Sequence, residues 1–435
     1  MVAETNTESG AVRQGHARVE ADSFLPATAR RLLETKKDTG AQALPCPGAI
    51  LFCDLSGFSR MGAEAVARSE RGAETLRDVI NAIFSDVVKV IHACGGSVLY
   101  YAGDAVAAHW PAQENPSEAV RAAVACGLTV QDTVSAMSAE LGVIAMRSSV
   151  SFGDLWLLDV DTPSARQAVF CGPGLAALEG LDLTVRGVRL TEEAALHLKD
   201  AGLWERDSLG PVAFKAETPE TPAPSPPAID ADPWLRAHQR AGLALGPDWV
   251  AEFRQAHILF IRAPDFTFRG AEDRDRAVET MRAIAAAVES ESGTLLQICC
   301  DDKGLVAVAA WGLASSVRED GAERAARVAQ DLVYKRDDGV FVAAVAAGKV
   351  FSGLIGAEPY MQHIVVGDAV NRAAAMCLAA LAPVTLDMST RDAVSRRYET
   401  TELAKLTLKG QAKKAPVYTI EAERLRGLAH AGIMV

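Results

Sequence analysis

Two stretches of this chain repeat one another across a proline-rich break, and that duplication limits the fold more than any single motif. Gly96-Ser97-Val98-Leu99 recurs as Gly293-Thr294-Leu295-Leu296, Ser151-Phe152-Gly153 as Ala346-Ala347-Gly348, and Phe170-Cys171-Gly172 as Val365-Val366-Gly367. Gly153 to Gly172 and Gly348 to Gly367 are both separations of 19, and the copies are offset by 195 residues. Between them, Pro219, Pro222, Pro224, Pro226, Pro227 and Pro233 interrupt a segment that neither a helix nor a central strand accommodates, so it reads as an extended linker. The division expected is an N-terminal extension over 1–45, a first domain over 46–214, a linker over 215–233, a second domain over 234–423 and a tail over 424–435.

The 435 residues, 49% apolar and 23% charged, suffice for two cores of about 200 residues each. A net charge of −12 argues against nucleic-acid or anionic-membrane partners, which call for a basic face. No apolar run approaches the roughly 18 to 20 residues that cross a bilayer, so a cytoplasmic protein is expected. Eight cysteines with no C-x-x-C pair read as small buried hydrophobes.

Each copy follows the pattern strand, helices, strand, hairpin, strand, helix, strand, helix. In the first, Ala49 to Asp54 is an apolar strand, Ala73 to Ala93 carries apolar residues at 76, 79, 80, 83, 84, 87, 88 and 91, and Val98 to Trp110 is a strand pair around Gly103-Asp104. Ala256 to Ile261, Ala277 to Val288, Leu295 to Trp311 and Phe341 to Leu354 take those places in the second. This mixed pattern predicts an antiparallel-rich sheet with helices packed on it.

Asp54, in Ile50-Leu51-Phe52-Cys53-Asp54-Leu55-Ser56-Gly57-Phe58, and Asp104, in Tyr101-Ala102-Gly103-Asp104, lie 50 residues apart. Read singly, the first caps a helix and the second turns a hairpin. Read together inside a duplicated domain, they resemble the metal-binding half of the class III nucleotide cyclases, most like the tandem catalytic domains of soluble adenylate cyclase. That resemblance implies two ferredoxin-like βαββαβ domains of α+β class in an intramolecular head-to-tail pseudo-dimer. It also implies a phosphorus-oxygen lyase that converts ATP, or less favourably GTP, to a cyclic nucleotide and pyrophosphate as a monomer. Asp54, Asp104 and the Leu55 carbonyl would hold two Mg²⁺ or Mn²⁺ ions. Ser56, Gly57 and Phe58 would open a helix and offer backbone N–H groups to phosphates, joined by Arg147 and by Lys409 from the second domain.

The second copy departs from the family pattern. Asn371 matches the residue that orients the ribose, but the transition-state arginine four residues later is Ala375. Loss of such a donor costs roughly 10²- to 10³-fold in rate. Arg372, about 60° around the helix, is the candidate substitute. Gln297 and Ile364 stand at the base-reading positions, and Gln297 suits adenine or guanine. Arg262 replaces the first metal aspartate, which makes the second interdomain site degenerate. Tyr100 and Glu179 replace the cations that bind bicarbonate there in relatives, so bicarbonate insensitivity is expected. The alternative is a catalytically impaired regulatory pseudo-cyclase that binds nucleotide.

Overall fold

The computed structural model describes residues 20–423, apart from 37–41, 58–71, 113–114, 142–143, 179–180, 182, 199–201, 218–221, 246–251, 267, 269, 302–303, 314–318, 337–339 and 408–413. The first copy contains α1 (Ala27–Lys36), β1 (Ala43–Pro45), β2 (Gly48–Ser56), α2 (Gly72–Ala93), β3 (Ser97–Ala102), β4 (Ala105–Pro111), α3 (Pro116–Leu141) and β5 (Ala145–Gly153). It continues through β6 (Trp156–Asp161), β7 (Arg166–Cys171), β8 (Val188–Leu190), β9 (Trp204–Asp207) and β10 (Gly210–Ala213). The second contains α4 (Ala237–Leu245), β11 (Glu252–Ala263), α5 (Ala271–Ser290), β12 (Thr294–Asp301), β13 (Gly304–Trp311), α6 (Gly321–Tyr334), β14 (Val342–Ala357) and β15 (Tyr360–Val366). After β15 come α7 (Asp368–Ala379), β16 (Val384–Asp387), α8 (Met388–Val394), β17 (Tyr398–Leu406) and β18 (Ala415–Glu423).

The two main sheets have the same plan. Strands run β3-β4-β2-β5-β8-β10-β9 in the first and β12-β13-β11-β14-β16-β18-β17 in the second. The four leading strands of each are antiparallel in the ferredoxin-like order, and β5–β8 and β14–β16 supply the parallel pairings. In α2 the spacing of Ile80, Ile83, Phe84, Val87, Val88 and Ile91 turns one helical face into the core that also holds Leu51, Cys53 and Leu55 of β2. Met281, Ile284, Ala285 and Val288 of α5 do the same against Leu259 and Ile261 of β11.

Neither core is closed by its own domain. The antiparallel β6–β7 hairpin of the first domain sends Leu158, Val160, Val169 and Cys171 into the second core. The β14–β15 hairpin returns Phe351, Ile355, Tyr360, Ile364 and Val366 to the first. The strand expected to stop at Leu354 extends to Ala357 because these outer residues find apolar partners across the interface. Gly356, at φ 106°, is required here: an added Cβ would lie 2.8 Å from the Tyr101 hydroxyl.

The extension and the segment after the linker fasten this arrangement. Ser23 donates to Glu358 at 2.6 Å and Arg30 to the Pro359 carbonyl at 2.8 Å, tying the chain before and within α1 to the hairpin tip of the second domain. Buried Asp159 on β6 accepts from Lys36 at 2.7 Å, from Arg166 at 2.5 and 3.0 Å, and from the Trp234 indole at 3.2 Å. Asp159→Ala leaves two cations around one emptied position, at a cost of about 3 kcal/mol. The urea midpoint should fall accordingly, and an unchanged midpoint would show that the three contacts carry no net stability.

Two buried histidines make stability depend on pH. Burial pushes His109 down to about 4, and burial together with nearby Arg236 does the same to His363. The unfolded chain protonates near 6.5, so between about pH 6.5 and 4 it binds protons that the folded chain does not, and stability falls as pH falls. At pH 5 the loss is about 2 kcal/mol per histidine. Urea denaturation at pH 7 and pH 5 checks this; His363→Gln should flatten the dependence.

Candidate active site between the domains

Asp54 lies near the end of the central strand β2, opposite Ala105 on β4 and Arg147 on β5. The next residue, Leu55, donates its N–H to the Asp104 carbonyl at 3.0 Å, which brings the two aspartates onto adjoining backbone segments. Gly103, at φ 66°, makes the turn before Asp104, and the space its Cβ would fill is open. This is the junction that the two sequence motifs required.

The flanking residues depart from expectation in part. Ser56, expected to open a helix, stays in the β ladder opposite Ala145 and donates its hydroxyl to the Ala145 carbonyl at 2.9 Å. Gly57 follows in a turn at φ 94° rather than in a helix, since the strand pairing with β5 runs to its last residue. Phe58 lies outside the described residues, as does Lys409. Arg147 adjoins Asp54: its Nη2 donates to Asp54 Oδ2 in an ion pair, and its Nε finds no acceptor among the described residues.

Oxygen donors from Asp54, Asp104 and the Leu55 carbonyl suit a hard divalent cation. Asp54 already takes a cationic partner in Arg147, and carboxylate and carbonyl oxygens are the donors that Mg²⁺ or Mn²⁺ would take here.

The second domain reaches this hairpin through two glutamines. Gln362 on β15 accepts from the Tyr101 N–H at 3.0 Å and donates to the Tyr101 carbonyl at 3.0 Å, serving as a strand partner for the sheet edge at β3. Gln297 on β12 donates to the same carbonyl at 3.5 Å. The Tyr101 ring is fully buried, stacked on Tyr360 at 5.7 Å and edge-on to Phe84 at 5.2 Å. Ile364 is buried in the first core. Gln362 was missed in the sequence, although it lies two residues before Ile364 and hence on the same face of the strand.

On α7, Asn371 is exposed and Ala375, one turn on, is half-buried. Arg372 has other partners: its Nε donates to Asp387 at 3.2 Å and its Nη2 to the Ala347 carbonyl at 2.8 Å. The structure therefore places the candidate substitute cation against β14 and β16 of its own domain and not with the Asp54 group.

At the other end of the pseudo-twofold the charge is inverted. Arg262 lies opposite Val306 and Val342, as Asp54 lies opposite Ala105 and Arg147. Between the sites is a cavity of about 80 Å³ walled by Tyr100, Gln167, Arg236, Gln297, Tyr360 and Gln362. Arg236 donates to Gln167 Oε1 at 3.1 and 2.6 Å and to the Leu296 carbonyl, and burial lowers its pKa to about 10. Arg166 also lines the cavity. The expectation of bicarbonate insensitivity rests on Tyr100, which lines this cavity, and on Glu179, which lies outside the described residues. No motif marked Arg236 in the sequence.

No protein-family model matches the chain. Adenylate cyclase type 10 from Homo sapiens is 23% identical over 440 residues and that from Rattus norvegicus 23% identical over 428. Each alignment covers 85% of this chain and 26% of the relative, so the chain spans about a quarter of the length of the curated relatives it matches. Among solved structures, a class III adenylyl cyclase-like ATP-binding protein from Pseudomonas aeruginosa matches with a TM-score of 0.56 at 14% identity, over 84% of this chain and 92% of that one. No helix among the described residues is long and apolar enough to cross a membrane. In sequence the chain is similar over most of its length to adenylate cyclase type 10, and its paired α+β domains have the class III nucleotide cyclase fold.

Proposed function

We propose that the chain is a nucleotide cyclase of slow turnover, a cytoplasmic monomer that converts ATP in preference to GTP into the 3′,5′-cyclic nucleotide and pyrophosphate. The observation that supports this best is the junction of Asp54 with the Asp104 turn, on a hairpin held by Gln297 and Gln362 of the other domain. Asp54, Asp104 and the Leu55 carbonyl hold two Mg²⁺ or Mn²⁺ ions, which when bound supply Lewis-acid stabilisation of phosphate charge. Arg147, the backbone at Ser56 to Phe58 and Lys409 bind the triphosphate, Asn371 orients the ribose, and Gln297 meets the base beside Ile364. The ATP preference follows the similarity to adenylate cyclase type 10.

A second reading, a regulatory nucleotide-binding pseudo-cyclase, draws support from one feature: Ala375 offers no cation and Arg372 is held by Asp387. Incubating the purified chain with Mn²⁺ and ATP or GTP, with mass-spectrometric detection of cyclic nucleotides, separates the two. Cyclic AMP is expected, reduced at least about 10²-fold by Asp104→Ala; nucleotide binding without product would favour the second reading. Ala375→Arg should raise kcat by about 10²-fold. No gain from that variant, in a protein that makes product, would mean that charge at the α-phosphate is stabilised from elsewhere.

A further inference from the structure

We infer that Arg147 is an internal counter-ion that keeps divalent metal off Asp54 until a nucleotide's phosphates draw the guanidinium away, so that metal and nucleotide bind cooperatively. The inference rests on reading this site as one for metal and nucleotide. Asp54 and Arg147 are directly opposed in the β2–β5 register, and their side chains meet as an ion pair. Among the described residues each is the other's one ion-pair partner. Asp54's other cross-strand neighbour is Ala105, which contributes no charge.

The fold does not need this pair. At the equivalent positions of the second copy, Arg262 faces Val342, and β11 and β14 pair without it. The pair occurs only where the metal residues do. Its chemistry suits an exchange: a dication at Asp54 would share one carboxylate with a guanidinium of like charge, and the two exclude each other. Triphosphate oxygens offer that guanidinium bidentate acceptors, and its Nε is uncommitted within the described structure. Nucleotide binding then frees Asp54 for metal. By linkage, metal raises nucleotide affinity by the same factor.

The test compares the full chain with Arg147→Met and Arg147→Lys, measuring Mn²⁺ binding without nucleotide by electron paramagnetic resonance and ATP binding in EDTA by calorimetry. Arg147→Met should bind Mn²⁺ about tenfold more tightly and ATP about tenfold more weakly, while Arg147→Lys stays near wild type in Mn²⁺ affinity. A purely structural role for Arg147 lowers both affinities; a role in phosphate binding alone lowers only that for ATP. Unchanged or weaker Mn²⁺ binding in a folded Arg147→Met chain therefore overturns the inference. Absence of Mn²⁺ binding from every variant, with ATP bound or not, overturns the metal-site reading and this inference with it.

Discussion

The architecture depends on the reciprocal burial of two hairpins. In each domain the core shared by helices and sheet is completed by a hairpin from the neighbour, while the opposite sheet face is covered by α1 in the first domain and by α7 in the second. Leu158, Val160, Val169 and Cys171 complete one core, while Phe351, Ile355, Tyr360, Ile364 and Val366 complete the other. Tyr101 shows how closely site and interface are joined. Its ring is buried between Phe84 and Tyr360, and its backbone is held by Gln362, three residues before Asp104. Burial of the ring contributes about 2 to 3 kcal/mol, offset in part because its buried hydroxyl finds no hydrogen-bond partner among the described residues. The hairpin that carries Asp104 is thus held both by its own sheet and by the docked second domain.

Duplication gave the two interdomain sites equal starting geometry, and single side chains then set them apart. The same ladder position carries Asp54 in one copy and Arg262 in the other, and its cross-strand neighbour is Arg147 in one and Val342 in the other. The same backbone pairing forms in both copies, because the ladder is made by main-chain groups and these exchanges change only the side chains it carries. A site can thus lose its carboxylates while the fold that held them stays intact.

Most of the fold was legible because the duplicated glycines and the 3.6-residue apolar spacing of α2 and α5 are local signals. Asp54 and Asp104 stand out in the sequence because one comes near the end of an apolar strand and the other follows a glycine in a tight turn, both of them local signals. What escaped depends on contacts between distant segments. Strand β14 outran its expected end because its outer residues are apolar toward a partner that no window of sequence contains. Ser56 stayed in the ladder for the same reason: its pairing with Ala145 lies 89 residues away. Arg236 reaches the central cavity from just beyond the linker, and its partners, Gln167 and the Leu296 carbonyl, lie 69 and 60 residues off.

The engagement of Arg372 bears on the proposal of slow turnover. Asp387 is buried, caps the start of α8 through the Thr390 N–H at 2.8 Å, and accepts the Ala347 N–H at 3.3 Å. Arg372 neutralises that carboxylate and satisfies the Ala347 carbonyl as well. Withdrawing the guanidinium toward a substrate would leave a buried carboxylate without its cation, a cost of several kcal/mol. That is comparable to the roughly 3 to 4 kcal/mol that a preorganised donor returns in the transition state. A cation already committed to a buried carboxylate inside its own domain gains nothing by serving another site, so under the proposed function Arg372 would not stand in for a cation at position 375.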